Sequence, residues 1–157
     1  MKIYLATDHA GFELKEKLKV YLGELGHTVE DKGAFTYDAQ DDYPDFVHAC
    51  AEAVASDGGS FGFVLGASGQ GEAMCANRVK GARCALYYGA EGKTQTDMSG
   101  VTLGMIESVR MHNNANMLSL GARFLSETDA KEVVKTFLQT KFSGDERHAR
   151  RIKKLDL

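Results

Sequence analysis

The chain has 157 residues, 43% of them hydrophobic and 26% charged, with a net charge of -3. That is the profile of one globular domain spanning residues 1–157, and the acidic balance argues against general nucleic-acid binding while leaving room for a local basic site for an anion. No apolar run is long enough to cross a bilayer, and polar residues interrupt the N-terminus by Thr7, so neither a membrane span nor a signal-peptide core is expected and the protein reads as cytoplasmic.

"KIYLAT", from Lys2, reads as a buried strand. In "GFELKEKLKVYLGELG", Phe12, Leu14, Leu18, Leu22 and Leu25 fall near helical spacing, and Gly26 ends the run. "HTVEDKG" is a short strand, and "YPDFVHACAEAVASDGG" a helix with Pro44 in its first turn. "FGFVLG" is a strand, followed by the glycine loop "GASGQG" and a short helix over "EAMCANRVKG", residues 72–81. "ARCALYY" is a strand, "TLGMIESVRMHNN" a helix over 102–114, and "NMLSLG" a strand. "SETDAKEVVKTFLQT" is a helix opened by Ser126 and a nearby acid, and "GDERHARRIKKLDL", residues 144–157, is a last charged helix. Cys50, Cys75 and Cys84 lack metal-ligand spacing and are expected to be buried free thiols.

Alternating strands and helices predict an α/β fold: five parallel strands, helices on both faces and a C-terminal helix. Ligands in such sheets bind outside the carboxyl ends of the strands. Those exits carry "TDHAG", "GASGQG", "YYG" and "GARF".

The loop from Gly66 to Gly71 is neither a dinucleotide fingerprint nor a P-loop. A strand, a glycine loop and a helix start can point N–H groups at an anion, or can be a plain tight turn. Glu72, at the exit of the loop, would sit in the first turn of a helix. There the dipole favours its charge while burial would oppose it, so it is either a dipole-complementing residue or a general base. Asp8 is an N-cap or a pocket residue, and His9 beside it a strand-end polar residue or a pocket residue. His112 and Asn113 fall near a helix end, where a histidine can cap or transfer protons. Arg123 follows the last sheet strand. Arg147 and Arg151 share a helix face, as a solvated basic end or as a phosphate clamp.

Taken together, "ATDHAGFELK", "DYP", "GASGQGEAMCANRVKGAR", "HNNANMLSLGARF" and "ERHARRI" occur in the order seen in the ribose-5-phosphate isomerase B / galactose-6-phosphate isomerase family, which the chain resembles over nearly its whole length. The resemblance implies a Rossmann-like three-layer α/β/α sandwich. It implies dimers, or tetramers made of dimers, with sites built from both subunits. It implies proton transfer between C1 and C2 of a sugar phosphate through a cis-enediolate, with no metal or organic cofactor. By the same resemblance, Asp8 and His9 contact substrate. Ala67, Ser68, Gly69, Gln70 and Gly71 form the loop that stabilises the enediolate oxygens, and Ser68 helps polarise the substrate or orient the acid. His112 is the acid that opens the sugar ring, with Asn113 binding substrate beside it. Arg123, Arg147 and Arg151 hold the phosphate.

One branch of that family uses a cysteine base just ahead of the loop. Here Gly66 holds that position, and "ASGQGE" matches instead the branch whose base is the glutamate, Glu72. The segment 88–106 is longer than in compact members by roughly a dozen residues, as a surface insertion can be. The expected substrate is ribose 5-phosphate or ribulose 5-phosphate. A six-carbon sugar phosphate such as galactose 6-phosphate or allose 6-phosphate is the nearest alternative, and a phosphosugar-binding protein without catalysis is another. A flavodoxin-like receiver would want an acceptor Asp where Gly66 stands.

Overall fold

A computed structural model of the chain describes residues 1–89 and 92–155. Strand β1 (Lys2–Thr7) leads through a single 3-10 turn to helix α1 (Phe12–Glu24) and strand β2 (Thr28–Asp31). Helix α2 (Tyr43–Ser56), strand β3 (Phe61–Gly66), helix α3 (Gln70–Ala76) and strand β4 (Cys84–Tyr87) follow. A hairpin of β5 (Thr94–Thr96) and β6 (Thr102–Gly104) precedes helix α4 (Met105–Asn113), strand β7 (Met117–Gly121), helix α5 (Glu127–Gln139) and helix α6 (Glu146–Ile152).

The main sheet is five-stranded and parallel, in the order β2-β1-β3-β7-β4. Its side chains alternate between two cores, as a period of two requires. Ile3, Leu5, Phe63, Leu65, Leu118 and Leu120 meet α1, α4 and α5 on one face. Tyr4, Ala6, Val64 and Met117 meet α2 and α3 on the other. This is the three-layer sandwich expected from the sequence. Among the described residues no helix is long and apolar enough to cross a membrane.

Local signals explain most boundaries. Gly26 takes the left-handed conformation (φ 81°) just past α1, and Ser126 and Asp129 form a reciprocal capping box at α5. Three expected helices differ. The one over 72–81 starts at Gln70 and stops at Ala76, because the Asn77 side chain donates to Ala73 O at 2.9 Å and to Cys84 O at 2.8 Å, binding the helix end to the next strand. The one over 102–114 begins only at Met105, since Thr102–Gly104 pairs antiparallel with Thr94–Thr96. The last helix covers Glu146–Ile152 rather than 144–157. Ala90 and Glu91 of the longer segment, and Asp156 and Leu157 of the last expected helix, lie outside the described residues.

Two features of this topology position the site. The chain steps from β1 out to β2 and returns across β1 to β3, so the strand order reverses between β1 and β3 and opens a crevice at their carboxyl ends. Thr7 Oγ1 donates to Leu65 O at 2.9 Å and ties the two exits. The α4 end, in contrast, lies at the amino edge of the sheet. Asn114 O accepts from Arg83 Nε at 2.9 Å just ahead of β4, and Asn116 O accepts from Gly62 N at 2.9 Å in β3.

Deep in the first core, Lys15 is fully buried. Its ammonium reaches both Asp31 oxygens at 2.7 Å and Ala34 O at 2.6 Å, fastening α1 to the exit of β2. Burial alone would raise the Asp31 pKa, but Lys15, the Gly33 N–H and Lys19 outweigh it and hold the carboxyl below its ordinary value.

Candidate functional site

The first group of side chains stands in the β1/β3 crevice. Asp8 is buried and caps the turn that follows it, its Oδ1 accepting from Ala10 N at 2.9 Å. Glu72 lies in the first turn of α3 and is only 5% exposed. Its carboxylate occupies the space above Gly66 that a Cβ there would need. Burial pushes the Glu72 carboxyl above its ordinary pKa and the charge of Asp8 adds to the rise, while its own backbone N–H opposes them only in part. A carboxylate with a raised pKa in a crevice is poised to take and return a proton.

The loop is held from below. Gly69 is left-handed (φ 74°), and a Cβ on it would meet Leu86 and Ser119 Oγ, each at 2.9 Å. Ser119 Oγ donates to Gly69 O at 2.6 Å. A Cβ on Gly71 would meet the Tyr43 hydroxyl oxygen at 2.8 Å. The glycines are therefore demanded by the protein's own atoms as well as by any ligand. Ser68 Oγ accepts from Gln70 N at 3.4 Å and starts α3. Past β7, Ala122 N donates to Gly66 O at 2.8 Å and Arg123 N to Ala67 O at 3.1 Å, which sets Arg123 beside the loop.

His9 stands at the same edge. Its Nδ1 is 2.7 Å from Asp41 Oδ1, which also accepts from His9 N at 3.0 Å. Asp41 thus fixes the ring and leaves Nε2 facing away from the pair. Asp8, His9 and Asp41 bring one possible metal-ligand atom each within 4.8 Å of one another. The 2.7 Å contact between His9 and Asp41 is a hydrogen bond, too short to span a tetrahedral ion, whose ligands stand roughly 3.4 Å apart. Asp41 Oδ2 is buried with no hydrogen-bond partner among the described residues, a free acceptor at the rim of the crevice.

The second group stands at the α4 end. His112 Nε2 is 3.3 Å from Asp97 Oδ2, on the hairpin turn between β5 and β6, and its Nδ1 is 3.4 Å from Ser108 Oγ. Its ring stacks on that of His148 from α6, centroids 4.4 Å apart. His148 is buried, and burial, followed by the charges of His112 and Arg147, lowers its pKa. Arg147 Nε donates to His148 Nε2 at 3.2 Å. Asn113 is exposed and lines a cavity of about 450 Å³ with Val109 and Ala115. Arg151, one turn beyond Arg147, is exposed.

One chain therefore brings Asp8, His9, the loop 67–71, Glu72 and Arg123 together at the carboxyl edge of the sheet. It brings His112, Asn113, Arg147 and Arg151 together at the amino edge. It does not bring the two groups to each other: α3 packs on one sheet face and α4 on the other. Of the thiols, Cys50 is buried as expected, but Cys75 and Cys84 are half-buried. Burial pushes all three up, with Glu72 adding to the rise at Cys75, so none is poised as a base. Asp41, Asp97 and His148 are absent from the sequence-derived set. His148 stands inside "ERHARRI" and Asp41 next to "DYP", so both were within reach of those motifs; Asp97 carries no sequence signal.

A parallel sheet with a buried carboxylate and a glycine loop at its switch point defines an α/β protein built to hold a small ligand at that edge. Comparison with known proteins narrows this. The family model described as Ribose/Galactose Isomerase matches residues 3–155. A ribose-5-phosphate isomerase B of Mycolicibacterium paratuberculosis is 43% identical over 152 residues, covering 97% of this chain and 87% of the relative. The Mycobacterium tuberculosis protein of the same name is 41% identical, with 97% and 86% covered. The crystal structure of a ribose 5-phosphate isomerase from Thermotoga maritima superposes with a TM-score of 0.83 at 40% identity, covering 99% of this chain and 97% of the other. That of ribose-5-phosphate isomerase B from Mycoplasma genitalium, with bound ribulose-5-phosphate, gives 0.84 at 34% identity, covering 98% and 93%. The chain belongs to the ribose/galactose isomerase family.

Proposed function

We propose that this protein interconverts ribose 5-phosphate and ribulose 5-phosphate, with Glu72 as the base. The observation that carries the assignment of the base is the Glu72 carboxylate, buried over Gly66 in the switch-point crevice with its pKa raised. The relatives' names supply the substrate class.

Ring opening comes first, because the cyclic sugar has no carbonyl to acidify the C2 proton. His112 places a proton on the ring oxygen O4 while the C1–O4 bond breaks, and the C1 hydroxyl releases its proton to water. Glu72 then takes the C2 proton, and the electron pair moves through C1–C2 onto the carbonyl oxygen to give the enediolate. A proton passes from O2 to O1, and Glu72 returns its proton to C1. Ser68 and the N–H groups of the loop 67–71 face the oxygens where charge develops, the arrangement that lowers such a barrier most. Asp8, His9 and Asn113 hold the sugar hydroxyls, and Arg123, Arg147 and Arg151 the phosphate.

The acid and the base of this scheme stand at opposite edges of one sheet. The working site is accordingly formed by two copies of the chain, the loop of one facing the α4 end of the other, in a dimer or a tetramer of dimers. Proton NMR in D₂O tests the function. Ribulose 5-phosphate should form from ribose 5-phosphate with deuterium uptake, and Glu72→Gln should abolish both. Conversion of only six-carbon sugar phosphates would change the substrate; binding without exchange of the C2 proton would overturn the isomerase reading.

A further inference from the structure

The hairpin between β4 and α4 lies along α4. Gln95 Nε2 bonds to Ser108 Oγ, and Asp97 Oδ2 reaches His112 Nε2 at 3.3 Å. The Asp97 side chain is only 8% exposed. Its Oδ1 is fixed by three donors of its own turn: Ser99 Oγ at 2.7 Å, Ser99 N at 2.8 Å and Val101 N at 3.0 Å. The turn thus immobilises one carboxylate oxygen and presents the other to the histidine.

We propose that Asp97 is the positioning residue for His112 in ring opening, supplied by the hairpin and not by the sheet. The inference rests on the isomerase reading above. Oδ2 accepts the Nε2–H of His112, which sets the ring orientation; Nδ1, whose neighbour is Ser108 Oγ at 3.4 Å, is then the nitrogen that exchanges a proton with O4 when the sugar takes the place of that long contact. The carboxylate also faces the positive charge His112 carries when protonated. Hydrogen bonds, foremost from the Ser99 side chain and the Val101 N–H, keep Asp97 well below the usual carboxylate range, so it is anionic wherever the enzyme works. His148, stacked on the face of the ring, is held toward its neutral form by burial and therefore adds little repulsion.

The chemistry offers a clean separation. Ribulose 5-phosphate forms no ring: its C5 oxygen carries the phosphate, and closure through O4 would make a four-membered ring. Exchange of its C1 proton with solvent thus needs Glu72 but not ring opening. The experiment compares the wild type, Asp97→Asn, Asp97→Glu and Ser99→Ala in D₂O. Asp97→Asn should lower kcat on ribose 5-phosphate by roughly tenfold or more, with KM within about threefold and C1 exchange of ribulose 5-phosphate within about twofold of wild type. Asp97→Glu should recover part of the loss. Ser99→Ala, which removes one of the three bonds on Oδ1 but leaves Oδ2 on His112, should lower conversion by less than Asp97→Asn does, and a loss as large as that of Asp97→Asn would overturn the assignment. Unchanged conversion by Asp97→Asn would overturn the assignment, and so would parallel loss of conversion and exchange, which marks a structural role. A wild type that converts no ribose 5-phosphate at all would instead sink the isomerase reading and this one with it.

Discussion

Glu72 is buried facing Asp8, and both its burial and that neighbouring charge lift its pKa. A base works only when deprotonated. The rate should therefore fall on the acid side at a higher pH than an ordinary glutamate would set. In a pH profile of kcat/KM, Asp8→Asn should move that limb to lower pH while also weakening substrate binding. Glu72→Gln should abolish turnover and leave affinity within about tenfold, as for a group used mainly in the transition state.

The same raised pKa has the opposite sign for stability. The folded state holds the Glu72 proton more tightly than the unfolded chain does, so ionised Glu72 costs stability above the unfolded pKa. Glu72→Gln should be more resistant to urea than the wild type near pH 7. The gain should vanish as the pH drops below about 4, where the glutamate is protonated in both states.

Glu72 and His112 lie on elements at opposite sheet edges, so two inactive variants should complement each other. With the site shared between two copies as proposed, Glu72→Gln and His112→Asn, unfolded and refolded together, should form mixed dimers in which one of the two sites is intact. Random assortment predicts about a quarter of wild-type activity. No recovery, with mixed dimers verified by mass, would show that acid and base come from one chain.

Arg147 is anchored by His148 and Asp145, whereas Arg123 and Arg151 are exposed. Replacing any of the three by Ala should raise KM by roughly ten- to a hundredfold, the range for one charge-assisted bond. Inorganic phosphate should lose inhibitory power in parallel, which isothermal calorimetry can follow.

Lys15 and Asp31 form a buried ion pair that bears on the fold alone. Lys15→Ala should cost about 3 kcal/mol by removing the buried partner of Asp31, which keeps only the half-buried Lys19 and the Gly33 N–H, and Lys15→Met with Asp31→Leu together should cost less. The Asp31 pKa is depressed in the folded state. Its contribution is present above the unfolded value near 3.8 and is lost as the pH falls through the folded one, which acid titration of the thermal midpoint would display.

Much of the fold is legible in the chain because the sheet strands other than the polar β2 are apolar runs with glycine or acid at or close after their ends, and its long helices carry period and caps. The hairpin is not. "TLGMIESVRM" has helical spacing throughout, and only pairing with Thr94–Thr96 turns its first residues into a strand. The loop composition points to the carboxyl edge of the sheet, but its bareness is partly a demand of Ser119, Leu86 and Tyr43 beneath it, contacts distant in sequence. The separation of the two groups of residues was in principle readable. A residue just ahead of a strand, as His112 is ahead of β7, must lie at the amino edge, away from a loop that follows one. Asp97 was beyond reach, because nothing local marks an aspartate that meets a histidine fifteen residues on.

The crowding of Gly66 by Glu72 also constrains how such a protein can change over time. A side chain at 66 and a carboxylate from 72 compete for one volume, so a thiol base at 66 and a carboxylate base at 72 are alternative tenants of the same point in space. With Glu72 in the proposed role, a lineage acquiring the thiol first would jam the carboxylate, and one discarding the carboxylate first would lose the base. The two solutions are separated by a valley that single substitutions cross only through impaired ancestors. Glycine at 66 is thus the companion that glutamate at 72 requires in this fold.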